Sequence, residues 1–124
     1  MKDLIYGLPR DRYKELYHFV KQYKIWEEAA KSLEKSFLNN NCEDWDLMTR
    51  ATHQFLYYKC RINLVIDACK KADIDYYVYL ILAITNELVY EELQTKYTTP
   101  LPFSKTEFSE MKQRFWRTLN VLRN

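Results

Sequence analysis

Glycine is almost absent from this chain of 124 residues, which contains one glycine (Gly7) and three prolines. A sheet protein needs turn residues about every ten positions, so the scarcity of glycine and proline excludes a fold built mainly from strands. Apolar residues make up 48% of the sequence, which is enough for a hydrophobic core and excludes a disordered chain. The composition therefore predicts an all-α fold.

Cysteine and histidine are also scarce. Cys42, Cys60 and Cys69 are odd in number, and their spacing matches neither a disulfide framework nor a metal site. Only His18 and His53 could add imidazole ligands, so a zinc site would have to be assembled from distant elements. We expect buried free thiols, no metal and no cofactor, in a chain that resides in a reducing compartment.

Long hydrophobic runs are missing as well. The opening "MKDLIYGLPR" has no apolar run long enough for a signal peptide. The most apolar segment spans residues 76–85, whereas a membrane-crossing helix needs about 20 residues. These features predict a soluble cytoplasmic protein with no membrane partner.

No pattern typical of an enzyme is present. The chain has no glycine-rich phosphate loop and no Ser/His/Asp or Cys/His/Asp arrangement in a suitable context. The carboxylate pairs Glu27/Glu28 and Glu91/Glu92 are adjacent in sequence, so their side chains point in different directions on a helix. We interpret His53 as a partly buried packing residue, and we predict that the protein is not an enzyme.

We predict that residues 1–72 form an antiparallel helical hairpin. The first helix begins at Pro9, shows an apolar stripe as far as Phe37, and has a possible break near Lys24. The polar residues 39–44 form the connection. The second helix has a longer stripe, formed by Leu47, Ala51, Phe55, Tyr58, Ile62, Val65 or Ile66, and Cys69.

We predict that residues 73–124 form three further helices, arranged as a helix-turn-helix-like unit. The first is a buried helix over 76–85, and the second spans residues 87–97 with Leu88, Val89, Leu93 and Tyr97 facing inward. Pro100 and Pro102 then break the chain. Ser104 and Glu107 form a capping box for the last helix, whose buried stripe is Phe108, Met111, Phe115 and Leu119.

The last helix is the candidate DNA-binding element. In a helix-turn-helix, the second helix presents its first turns to base edges in the major groove. The side chains that would contact bases are Ser104, Lys105, Thr106, Ser109, Lys112 and Gln113. Arg114 and Arg117 would contact phosphates. The alternative is an ordinary corner between packed helices. From Lys96 to Asn124 there are six basic residues and two acidic ones, and this surplus does not decide between the two interpretations.

A family resemblance points the same way. The segments "YKELYHFVKQYKIW" (13–26) and "AITNELVYEELQTKYTTPLPFSKTEFSEMKQRFWRTL" (83–119) resemble the RinA and ArpU-type regulators of late transcription in phages of Gram-positive bacteria. The likeness of the second segment to the fourth region of sigma factors lies mainly at Thr85, Tyr90, Leu93, Pro102, Ser104, Phe108, Arg114 and Phe115. Asn86 stands where that family has glycine. The resemblance implies a regulator of phage or prophage origin that binds double-stranded DNA and acts with RNA polymerase or another host protein. We also expect a homodimer, because helix-turn-helix proteins commonly bind paired half-sites and the long aromatic helical hairpin would provide an isologous surface.

A protein-interaction module without DNA binding is the alternative function. The chain carries 11 tyrosines and three tryptophans, more than one small core accommodates. Tyrosine and tryptophan are enriched at protein interfaces. The aromatic residues expected at such a surface are Trp26, Trp45, Tyr57, Tyr58, Tyr76, Tyr77, Tyr79 and Trp116.

Overall fold

A computed structural model describes residues 4–39 and 45–124. Helix dominates these residues, which confirms the all-α class. The helices are α1 (Arg10–Lys21), α2 (Tyr23–Asn39), α3 (Trp45–Ala72), α4 (Tyr77–Thr85), α5 (Tyr90–Gln94) and α6 (Lys105–Leu122). Two short strands, β1 (Leu4–Ile5) and β2 (Leu8–Pro9), precede them.

The strands form a small antiparallel hairpin that the sequence did not predict. Leu4 pairs with Pro9 and Ile5 with Leu8, around a turn at Tyr6 and Gly7. Both turn residues adopt positive φ, 54° at Tyr6 and 79° at Gly7. Strands of two residues are too short to show an alternating hydrophobic pattern, so periodicity could not reveal them.

The first predicted helix is divided in two. Pro9 precedes the first turn as the N-cap residue of α1, and the helix ends at Lys21. The backbone N–H of Gln22 donates to the carbonyls of Phe19 and Val20, and α2 resumes at Tyr23. The break predicted near Lys24 is therefore confirmed, two residues earlier.

α2 packs against α3, as the predicted hairpin requires. The C-terminal half of α3 enters the core through Ile62, Val65, Ala68, Cys69 and Ala72. The other end of the hairpin is different, since none of the described side chains in residues 31–39 and 45–60 is buried. We call these two segments the hairpin arm. The rings of Phe37 and Phe55 pack edge to face within the arm, with centroids 5.7 Å apart.

α4 ends in a Schellman motif, in which Glu87 has φ 54°. The N–H of Leu88 donates to the carbonyl of Ala83 at 2.8 Å, and the N–H of Glu87 donates to that of Ile84 at 3.4 Å. This turn delays the next helix, so α5 covers only Tyr90–Gln94 instead of 87–97. The delay also leaves Val89 51% exposed, although the sequence predicted it to face inward.

α6 joins the two halves of the chain in one core. Its predicted stripe of Phe108, Met111, Phe115 and Leu119 is buried, and Trp116 is buried beside it. The helix packs mainly along α3 and also contacts α1 and α4. At the α1 contact, Arg12 Nε donates to Asn120 Oδ1 at 2.6 Å. The core is therefore continuous across position 72.

Candidate nucleic-acid interface

α5 and α6 are joined by an ordered turn. The hydroxyl of Tyr90 on α5 donates to the carbonyl of Phe103 at 2.9 Å, and the ring of Phe103 stacks on Phe108 of α6 at 5.9 Å. The side-chain amide of Gln94 spans the same turn by donating to the Thr99 carbonyl and accepting from the Leu101 N–H, both at 2.9 Å. These contacts determine how α6 is placed relative to α5.

The predicted capping box at the start of α6 is confirmed. Ser104 Oγ accepts from the N–H of Glu107 at 3.1 Å, and the Glu107 carboxylate accepts from the N–H of Ser104 at 3.2 Å. The Ser104 side chain therefore stabilises the first turn of the helix.

Three of the predicted base-contacting residues form an outward row on α6. Thr106, Ser109 and Gln113 follow one another at steps of three and four residues, which places them on one helix face. Thr106 and Ser109 are exposed and Gln113 is half-buried. None of the hydrogen bonds within residues 4–39 and 45–124 uses these three side chains, so their polar groups face solvent. Glu110 lies on the same exposed face.

The two predicted lysines lie in different environments. Lys105 is exposed, and its Nζ donates to the Glu91 carboxylate at 2.7 Å, a hydrogen bond that lowers the pKa of Glu91. Lys112 is half-buried, and its Nζ lies 4.7 Å from the centroid of the Phe108 ring. Burial lowers the pKa of Lys112, and the positive charge of Lys105 lowers it further.

Both predicted phosphate-contacting arginines donate to backbone carbonyls elsewhere in the chain. Arg114 Nε donates to the carbonyl of Ala72 at 2.7 Å, and its Nη2 lies 3.5 Å from Asp73 Oδ2. Arg117 Nε donates to the carbonyl of Tyr6 at 3.2 Å. These bonds hold α6 to the end of α3 and to the β-hairpin. The Arg114 side chain nevertheless remains 48% exposed.

The expected aromatic surface is mostly packed inside the molecule. Trp26 and Trp116 belong to the core, while Tyr76 and Tyr79 pack against Phe103. Trp45 is 84% exposed and Tyr57 is 51% exposed, and both lie on the hairpin arm. The arm is therefore the part of the described chain that presents large aromatic side chains to solvent.

The cysteines and histidines form no metal centre in the described residues, where no cluster of three or more His, Cys, Asp or Glu side chains could hold an ion. Cys69 is buried as predicted, but Cys60 is exposed on α3, so the prediction of buried thiols is wrong for that residue. His53, expected to be partly buried, is also exposed. Cys42 lies outside the described residues.

Comparisons with models of protein families, with curated proteins and with solved structures find no match for this chain. Within the described ranges, no helix combines the length and the apolar character needed to cross a membrane.

Proposed function

We propose that this protein is a DNA-binding transcriptional regulator of phage or prophage origin, with α6 as the helix that enters the major groove. The observation that carries the proposal is the outward row of Thr106, Ser109 and Gln113 on a capped helix that follows an ordered turn. Hydroxyl and amide groups at successive turns are suited to hydrogen bonds with base edges.

The contacts of the arginines are compatible with this role. A guanidinium carries five N–H donors, so one that donates to a carbonyl through Nε retains further donors for a phosphate. Arg114 and Arg117 would then both position α6 and contact the DNA backbone. Lys105 is exposed at the start of the helix and would be a third backbone contact.

The resemblance to the RinA and ArpU-type regulators supports the same proposal and adds RNA polymerase as the protein partner. The left-handed residue of the preceding turn is Glu87, one position after the Asn86 that replaces the expected glycine. Having asparagine instead of glycine at position 86 therefore does not prevent the turn from forming. Asn86 has φ −107°, a value that does not require glycine.

The proposal is tested by selecting a binding site from random duplex DNA at about 50 mM salt. Phosphate contacts are strong at this salt concentration, so even weak DNA binding should be detected. On the selected site, Thr106→Ala and Gln113→Ala should each reduce the binding free energy by about 1–3 kcal/mol and have little effect on random duplex. Lys105→Ala should weaken binding to both duplexes equally and reduce the salt slope by about one unit.

Lys31→Ala is the matched control, because Lys31 is an exposed lysine of the hairpin arm that pairs with Glu27. This variant should bind both duplexes like the parent protein. Failure of the parent protein to bind any duplex at low salt would refute the proposal.

The second candidate function is protein binding through the hairpin arm. The exposure of Leu38 (81%) on α2 and of Trp45 (84%) and Leu56 (52%) on α3 favours it, because large exposed apolar patches mark interaction sites. Direct binding of the purified protein to RNA polymerase tests this function, and Trp45→Ala and Leu56→Ala should weaken such binding. Equal binding by the parent and both variants would exclude the arm as the contact.

A further inference from the structure

A cavity of about 390 Å³ lies where α1, the turn after α4 and α6 meet. This volume is in the range of small-molecule sites. One wall is aromatic: Tyr13 lies 5.0 Å from Trp116 and 5.7 Å from Tyr6 between ring centroids, and Tyr17 continues the wall 6.1 Å from Tyr13. Three of these rings are only half-buried, so they retain surface that a planar ligand can cover.

Two residues with left-handed backbone line the cavity. Tyr6 and Glu87 are the two non-glycine residues with positive φ in the part of the chain that the structure describes, and both line this cavity. Non-glycine residues in left-handed conformations are uncommon and concentrate at ligand-binding and active sites. Tyr6 takes this conformation in the turn of the β-hairpin and Glu87 takes it in the Schellman motif that ends α4, so two ordered turns border the cavity.

The charged side chains around the cavity are mostly positive. Lys21, Lys24 and Lys112 line it, against one carboxylate, Glu87. The hydroxyl of Tyr17 donates to the Glu87 carboxylate, so that acceptor is already engaged. Lys112 is half-buried and partly dehydrated, which is why its pKa is lowered. An anion next to Lys112 would replace the hydration that this ammonium has lost.

We propose that this cavity binds a small aromatic anion, whose ring packs on the half-buried rings of Tyr13 and Tyr17 and whose carboxylate or phosphate contacts Lys112 and Lys24. The aromatic wall selects a planar body, and the excess of lysines selects the negative charge. The charge excess also disfavours a cationic ligand, although aromatic walls can bind cations.

Titration of the full chain without DNA tests the proposal independently of the function proposed for α6. The probes are 1-naphthoate with its uncharged partner 1-naphthamide, and adenosine 5′-monophosphate with adenosine. At least one anion should bind about tenfold more tightly than its uncharged partner, as expected for one charge-assisted contact. Its binding should shift the indole N–H resonance of Trp116 in the ¹H–¹⁵N spectrum. The pair that shows the preference identifies carboxylate or phosphate as the recognised group.

Three lysine variants complete the test. Lys112→Met and Lys24→Met should each weaken binding of the preferred anion about tenfold, while Lys31→Met, on the hairpin arm, should leave it unchanged. Lys24 is exposed, so its variant remains informative if Lys112→Met fails to fold. Absence of binding at about 5 mM by both anions, equal affinity for charged and uncharged partners, or equal binding by all three variants would overturn the proposal.

Discussion

Arg117 connects residues that are far apart in the sequence. Its Nε donates to the carbonyl of Tyr6, and its guanidinium lies against Gly7, where φ is 79°. A Cβ atom at Gly7 would lie 2.7 Å from Arg117 Nη2. The left-handed backbone favours glycine at position 7, and a larger residue would also have to displace the flexible end of the Arg117 side chain.

We expect Gly7→Ala to lower the free energy of unfolding by about 1–2 kcal/mol, mainly because alanine is disfavoured in the left-handed region. Gly7→Asn should have a smaller effect, since asparagine tolerates this conformation while its Cβ still meets Arg117. Urea unfolding measures both. If the two variants lower the free energy of unfolding equally, the contact with Arg117 is the cause and the left-handed backbone is not.

The two cysteines within the described ranges should differ in reactivity. Burial raises the pKa of the Cys69 thiol and shields it from reagents, whereas Cys60 is exposed on α3. In a Cys42→Ser background, one thiol should react with 5,5′-dithiobis(2-nitrobenzoic acid) in the native protein and two in denaturant. Rapid loss of both native thiols would contradict the burial of Cys69.

At the scale of elements, α3, α4 and α6 were predictable, whereas the bounds of α5 and the presence of the β-hairpin were not. α3 and α6 follow from their apolar stripes, and the start of α6 follows from Ser104 and Glu107, because a capping box is a local signal. The shortening of α5 depends on the left-handed conformation of Glu87. Glutamate has no preference for this conformation, so the residue type did not predict it. Local sequence rules fail where tertiary contacts stabilise an unusual backbone.

The same distinction applies to the candidate site. The outward positions of Thr106, Ser109 and Gln113 follow from the inward stripe of α6, so the sequence was sufficient to predict them. The contacts of Arg114 and Arg117 were not predictable, because their acceptors are backbone carbonyls 42 and 111 positions away in the chain. Every residue has a backbone carbonyl, so the sequence does not indicate which carbonyl will accept the hydrogen bond.

The capping box allows a matched test within α6. Ser104→Ala removes the acceptor for the Glu107 N–H and should lower the free energy of unfolding by about 1 kcal/mol. Ser109→Ala makes the same chemical change at an exposed helix position without a hydrogen bond, so it should be neutral or slightly stabilising. Chemical denaturation compares the two, and similar losses at both positions would show that the cap contributes nothing.

At the scale of the whole molecule, burial is unevenly distributed along the chain. The core lies where α1, α3, α4 and α6 meet, while the hairpin arm has no buried side chain among its described residues. A two-helix arm has one internal interface, and its exposed side chains Leu38, Trp45 and Leu56 are not covered by any of the residues that the structure describes. Pairing with a second copy would provide it.

We therefore expect a homodimer in which the arm contributes to the interface. Leu56→Lys should shift the protein toward monomer in sedimentation velocity at micromolar concentration, because it places a charge on the apolar face of the arm. Ile74→Lys, at a site 68% exposed outside the arm, is the control and should not change the sedimentation coefficient. A monomeric parent protein at the same concentration would disprove this expectation.

The position of α6 between α1 and α3 also has a consequence during protein synthesis. α6 leaves the ribosome after the helices that it packs against, yet Leu16, Val65 and Phe115 belong to the same core. At about 5–20 residues per second, the earlier helices spend several seconds with their apolar faces uncovered. The nascent chain is therefore a candidate client for ribosome-associated chaperones until α6 has been synthesised.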